Sequence, residues 1–231
     1  MAAPSFIQEA ETAWNSATSP KTTASFSVLA GDILVAFLIT EGNDNGLWDA
    51  TITGGSLSWT ERQQVAATDY CYVLIATAVV DSNKSMTVSF TRTAGNTAID
   101  FGGNVLTFRS SDGVGASAKE NADSELGGPS MNLTTTQANS AVVAALGDWN
   151  ATSGTRTWRT GAGVFTAQSA YLDTGAYWAG GGYHADAGVI GTYAIGQLAP
   201  TGQKHSLVAV EVKGTAAGGT APMGWAGSGW W

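Results

Sequence analysis

ILVAFLI, residues 33–39, is an unbroken apolar run between Asp32 and Thr40. It is far shorter than the ~20 residues that span a bilayer, and it carries the branched and aromatic types that suit a pleated strand. A strand that is apolar at every position must be covered on both faces, which places this segment near the centre of a sandwich. CYVLIATAVV (71–80) reads the same way. Elsewhere the pattern alternates. In MTVSF, Met86, Val88 and Phe90 face one way and Thr87 and Ser89 the other. LVAVEV sets Val208, Val210 and Val212 opposite Leu207, Ala209 and Glu211.

Outward from these segments, strands are expected at 24–29, 32–40, 56–65, 70–80, 85–92 and 99–109. A second set falls at 131–136, 140–147, 155–159, 164–172, 177–184, 189–195 and 205–213. No stretch holds a helical period; AETAWNSAT (10–18) has material for one turn at most. The expected fold is all-β, a single large jelly-roll-like sandwich over residues 1–213. A non-regular Gly/Ala/Trp-rich tail over 214–231 follows it. The alternative is two stacked β units meeting in the Gly- and Ser-rich stretch 110–130, which otherwise reads as a long loop open to a partner.

Hydrophobic residues make up 44% of the chain, which excludes a disordered polymer, and charged residues only 12%, about half the usual ~25%. Neutral Ser, Thr, Asn and Gly therefore cover the surface. The net charge of −8 and the absence of a Lys/Arg run argue against nucleic acid as a partner. MAAPSFIQEA has neither the basic nor the apolar region of a signal peptide, and no apolar run is long enough for a membrane helix. The one cysteine, Cys71, has no intrachain partner and reads as a buried, inert thiol.

Catalytic chemistry finds few residues to use. His184 follows GGGY and reads as a loop histidine at the surface, near Asp173 and Asp186 in the chain; His205 opens the last strand. Neither has the spacing of a metal site. No GxSxG is present, and Asp148, Asp173 and Asp186 are only nominal partners for glycoside hydrolysis, since loop aspartates more often shape turns. EGNDNG (41–46) offers calcium-type oxygens without EF-hand spacing, and GGGYH (180–184) lacks the setting of a phosphate loop. The expectation is a non-enzymatic protein with no cofactor and no metal.

Aromatics are the enriched resource. Trp48, Trp149, Trp178 and Tyr183 lie in or near polar loops and are candidates to stack on a sugar; rings that close the ends of a core are the plainer reading. Residues 214–231, GTAAGGTAPMGWAGSGWW, show no strand pattern and read as a flexible docking tail whose anchors are Met223, Trp225, Trp230 and Trp231. The tail either folds back onto its own sandwich or inserts into a neighbouring subunit; exposed indoles on a monomer invite aggregation, which favours the second reading.

In order along the chain, AGDILVAFLIT (30–40), TGGSLSWTER (53–62), CYVLIATAVV with SMTVSF (85–90), ALGDWNA (145–151) and GTYAIGQLAPTGQKHSLVAVEVKG (191–214) form a set. This set resembles a β-sandwich domain that recurs in structural proteins of tailed phages infecting actinobacteria, often labelled minor tail proteins. The resemblance implies a virion component on the outer surface of the capsid or tail, with phage capsid or tail subunits as partners and homo-oligomeric contacts on the particle. A second expectation is a carbohydrate-binding module that attaches the particle to a host surface glycan. The resemblance assigns no site residues.

Overall fold

The computed structural model describes residues 2–14, 17–41, 49–66, 71–94, 99–122, 127–149, 154–173 and 177–216. Every regular element among them is a strand. The first half contains β1 (Ser5–Glu11), β2 (Lys21–Thr22), β3 (Phe26–Val28), β4 (Ile33–Thr40), β5 (Asp49–Gly54), β6 (Thr60–Ala66), β7 (Tyr72–Val79), β8 (Lys84–Met86), β9 (Val88–Ala94) and β10 (Phe101–Arg109). The second contains β11 (Val114–Ala122), β12 (Ser130–Thr134), β13 (Ala141–Asp148), β14 (Thr157–Trp158), β15 (Phe165–Asp173), β16 (Tyr177–His184), β17 (Thr192–Ala199) and β18 (His205–Val212).

The halves repeat one topology. The first has a five-stranded sheet in the order β1-β10-β4-β7-β6, and the second has β11-β18-β13-β16-β15. The small sheets β2-β9-β5 and β12-β17-β14 correspond likewise, and β3-β8 extends only the first half. Local detail follows the repeat. Gly31 and Asn139, at matching turns before the central strands β4 and β13, both have positive φ, of 86° and 57°. The β6–β7 ladder slips between Glu61 and Gln63, and β15–β16 slips at the matching place, between Ala167 and Ser169.

The all-β expectation therefore holds, but the expected single sandwich is replaced by two, stacked through their five-stranded sheets. Side-chain alternation decides this. Val35, Phe37 and Ile39 of β4 face Val143 and Ala145 of β13 in a central core. The intervening Leu34, Ala36 and Leu38 face Ile52, Val88 and Phe90 across the first sandwich. Val142, Ala144 and Leu146 face Met131, Leu133 and Ile195 across the second. The seven apolar residues of 33–39 are fully covered because β4 has one core on each side.

Across the centre, Phe108 of β10 and Phe6 of β1 pack on Tyr183 of β16, with ring centroids 5.5 and 4.8 Å apart. At the other edge β6 lies on β11, where Gln63 Nε2 donates to Ser117 Oγ at 3.0 Å and Ser117 Oγ donates to the Arg62 carbonyl at 3.3 Å. Matching strands thus exchange sides, as an approximate two-fold axis along the strands requires. That axis also puts matching ends of the halves together: the Gly147 end of β13 lies on Ile39 and Cys71. The stretch 110–130 is a strand over Val114–Ala122. It forms β11, an edge strand of small and polar residues paired along β18.

Candidate functional site

The titratable residues singled out in the sequence do not gather at one site. At one end of the second sandwich, Asp148 is fully buried where β13 stops and forms an ion pair with Arg156. The Arg156 guanidinium also donates to Gln203 Oε1 at 3.1 Å and lies 4.3 Å over the Trp178 ring. Burial pushes the Asp148 carboxyl up to about 6, outweighing the hydrogen bond and charge of Arg156. Beside it, buried His205 pairs with Glu120 of β11. These polar groups form a plug at one end of the second sandwich.

At the opposite end of the same sandwich, Glu211 is also fully buried. Its carboxylate accepts from the backbone N–H groups of Ala116, Thr136 and Gln137 and from the hydroxyls of Thr136 and Ser140, at 2.7–3.0 Å. Burial alone would raise this carboxyl; the donors outweigh burial and hold it below the ordinary range. A charge with that many donors ties three chain segments together, and it has no lone pair left for chemistry.

His184, expected in a surface loop, is instead buried as the last residue of β16. Its Nδ1–H donates to the Gly163 carbonyl at 2.8 Å, and burial lowers its basicity, so the ring is neutral. The cause is local: GGGYH continues the strand where its glycines suggested a loop. Asp186 shapes the next turn, accepting from Gly188 N at 2.7 Å and Asn139 Nδ2 at 3.2 Å. Asp173 closes β15 opposite Tyr177, a strand length from His184, which pairs with Phe165. The pairing register thus separates Asp173 from His184 by the length of β15. Cys71 is buried, and burial raises its thiol well above the ordinary value, in agreement with an inert role.

The aromatic candidates separate too. Trp48, Met223, Trp225, Trp230 and Trp231 lie outside the described residues, as does 42–46 of the calcium-type stretch. Trp149 is half-buried against the central core. Trp178 and Tyr183 are 7% and 9% exposed, and neither presents a ring face to a sugar. Their strand is the reason. Trp178 faces the second sandwich and Tyr183 the centre, so both are core residues rather than loop residues.

The glycines between them explain the packing. A Cβ on Gly180 would fall 2.6 Å from the Trp178 ring, one on Gly181 2.5 Å from Phe37, and one on Gly182 2.9 Å from Phe165. Gly180 and Gly181 make room for aromatic rings, while Gly182 lies closest to the backbone of Thr166 and Ala167 on β15. Trp158 completes the group, stacked on Phe165 with centroids 3.8 Å apart, and closes the open side of the second sandwich between β14 and β15.

Among the described residues, no stacked ring pair covers the matching side of the first sandwich. A groove of about 150 Å³ lies between β5 and β6, lined by Ala50, Thr51, Ile52, Trp59, Glu61, Leu74 and Ala76. Trp59 precedes β6 as Phe165 opens β15, and its Nε1–H donates to the Gly54 carbonyl at 3.2 Å. Sequence reading passed over Trp59, although LSWT was a recognised motif. Only pairing registers reveal that it matches a stacked ring in the other half.

One end of the body gathers exposed apolar tips: Leu29 before β4, Val79 ending β7, Val164 before β15, and Val189 and Ile190 after β16. Thr215 is held at the same end, pairing with Ala2, and Ala216 N donates to Asp112 Oδ2 at 2.6 Å. No family model, curated protein or solved structure matches this chain.

Proposed function

We propose that this chain is a non-enzymatic structural subunit of a tailed-phage virion. It would be a capsid decoration or minor tail protein on the outer surface, each half a jelly-roll-like unit. Docking to neighbouring capsid or tail subunits would run partly through Met223, Trp225, Trp230 and Trp231. The observation that carries the reading is the polarity of the body. Its apolar loop tips and its last described residue, Ala216, share one end, while its buried charges serve to close core ends. Apolar side chains gathered on a weakly charged body suit a protein surface as partner. Repeated copies around a symmetry axis of a shell would add homo-oligomeric contacts.

Attachment to a host glycan is the second reading. Of its four rings, Trp178 and Tyr183 are in the core, so it has the weaker support.

Quantitative peptide mass spectrometry of purified particles tests the first reading. The chain is expected at a fixed copy number per particle, and deletion of residues 224–231 is expected to lower its occupancy at least about tenfold, which is ~1.4 kcal/mol of docking energy. Absence from particles, or occupancy unchanged by the deletion, removes this reading. Selective binding to a glycan array, lost on Trp149→Ala, would put the second in its place.

A further inference from the structure

A second groove, of about 310 Å³, lies where β6 begins and β7 ends. Leu57 and Val79 give it aliphatic surface, and Ser56, Ser58 and Thr60 give it hydroxyls. Val79 is one of the exposed tips, so the groove belongs to the end of the body that carries them. Two contacts arrange its charge. Arg62 Nε donates at 2.7 Å to the Oγ1 of Thr77, which is buried, and this fixes the guanidinium at the groove wall. Its terminal N–H groups have no protein acceptor among the described residues. Asp81 on the rim is paired with Lys84, so those two charges cancel and Arg62 sets the net charge of the lining. The rim is held in place as well. Leu57 N and Trp59 Nε1 donate to the Gly54 carbonyl, and Lys84 Nζ to that of Gly55, at 3.1–3.2 Å.

We infer that this groove binds an aspartate or glutamate side chain carried on an extended segment of a neighbouring subunit. The planar fork of a guanidinium matches a carboxylate in a two-point bond. One net positive charge suits a monoanion, whereas a phosphate dianion would bring unpaired negative charge beside Asp81. The mixed lining suits a peptide. Its hydroxyls donate to or accept from a backbone, and Leu57 and Val79 cover the apolar neighbours of the acid. Among the described residues, no aromatic ring lines the groove to stack on the face of a sugar. Its volume is at the lower end of the ~300–1,000 Å³ of ligand pockets, the size for one anchoring side chain and those next to it. The inference rests on the docking role proposed above for the source of the peptide, while the site itself can be tested without a particle.

The test uses the full chain in solution, so its failure and that of the occupancy experiment are told apart. The capped peptide acetyl-AVEVA-amide is titrated while the Arg62 Nε–H and the backbone amides of Ser58 and Val79 are followed by proton–nitrogen correlation spectra. A saturable shift with a Kd of about 5 mM or tighter is expected, and acetyl-AVQVA-amide should bind at least about tenfold more weakly. Arg62→Lys keeps the charge, loses the fork and should weaken binding about tenfold, read at the two amides. Val79→Ser alters only an exposed side chain and should weaken it about threefold. The inference is overturned by the absence of a saturable shift up to about 20 mM peptide. Equal binding of the two peptides overturns it too, as does parent-like binding by Arg62→Lys. So does tighter binding of glucuronate or inorganic phosphate than of the glutamate peptide.

Discussion

The two sandwiches share a topology and a pair of turns, yet they divide the central interface unequally. Phe37, Ile39, Val73 and Ile75 come from the first half; Ala145, Gly147, Ala179 and Gly181 hold the matching positions in the second. Bulk on one sheet meets bare backbone on the other. The Phe37 ring sits where a Cβ on Gly181 would be, and Ile39 presses on Gly147 in the same way. On the outer faces the relation reverses, because Gly180 and Gly182 admit Trp178 and Phe165 into the second sandwich where the first has Leu74 and Ala76. The lesson is that volume is conserved across an interface rather than within a sheet, as close packing demands.

The largest effect expected from breaking this complementarity is at Phe37. Phe37→Ala should cost about 3–5 kcal/mol by urea denaturation, the range for losing a buried ring. Gly181→Val should cost about 1–3 kcal/mol by overpacking, and the two together should cost less than their sum, since each relieves the other. Strict additivity would show that the ring and the glycine do not compete for one space.

Next is Glu211→Gln, which turns an acceptor of five donors into a group with donors of its own. A loss of about 2–4 kcal/mol is expected, together with lower proteolytic resistance at residues 135–140. A smaller difference separates the matching rings. Trp158→Ala should destabilise by about 1–2 kcal/mol more than Trp59→Ala, because only Trp158 is in an intramolecular stack within the described body. Equal costs would remove the contrast between the closed and open edges.

The smallest effect is a matter of slope. Asp148 and Glu211 cap opposite ends of one sandwich and shift in opposite directions. Asp148, pushed up to about 6, binds its proton more readily folded than unfolded. Between about pH 4 and 6 it makes stability fall as pH rises. Glu211, held below its ordinary value, contributes stability that is present above the unfolded carboxyl pKa and is lost as pH falls through the folded one. Denaturation across pH 3–7 should show Asp148→Asn losing the first slope and Glu211→Gln the second. If either variant kept the parent profile, its carboxylate would not be the group responsible.

Much of the body was legible residue by residue. ILVAFLI, CYVLIATAVV and LVAVEV are strands where the pattern placed them, and the fully apolar run correctly implied cover on both faces. The stacking of two sandwiches was harder to see because the repeat is one of register rather than identity. AGDILVAFLIT and ANSAVVAALGD (138–148) superpose in the structure, but large residues stand against small ones. β1 and β11 were missed for a shared reason: both are edge strands, half-covered and rich in polar residues, so neither alternates cleanly in hydropathy. GGGYH misled because glycine usually marks a turn, whereas here Gly180 makes room for Trp178 of its own strand, Gly181 for Phe37 of β4, and Gly182 for the backbone of β15. Such room is set by distant parts of the chain, which local pattern does not record.

Joining the two sandwiches in one polypeptide has a consequence of its own. Two identical sandwiches related by a true dyad would each have to present both Phe37 and Gly181's counterpart, Ile75, and bulk would then oppose bulk on both sides of the axis. A tandem chain is free of that constraint, since each copy can drift to suit its fixed companion. It also holds the pair together at any dilution, so the stacking of the two sandwiches does not depend on concentration.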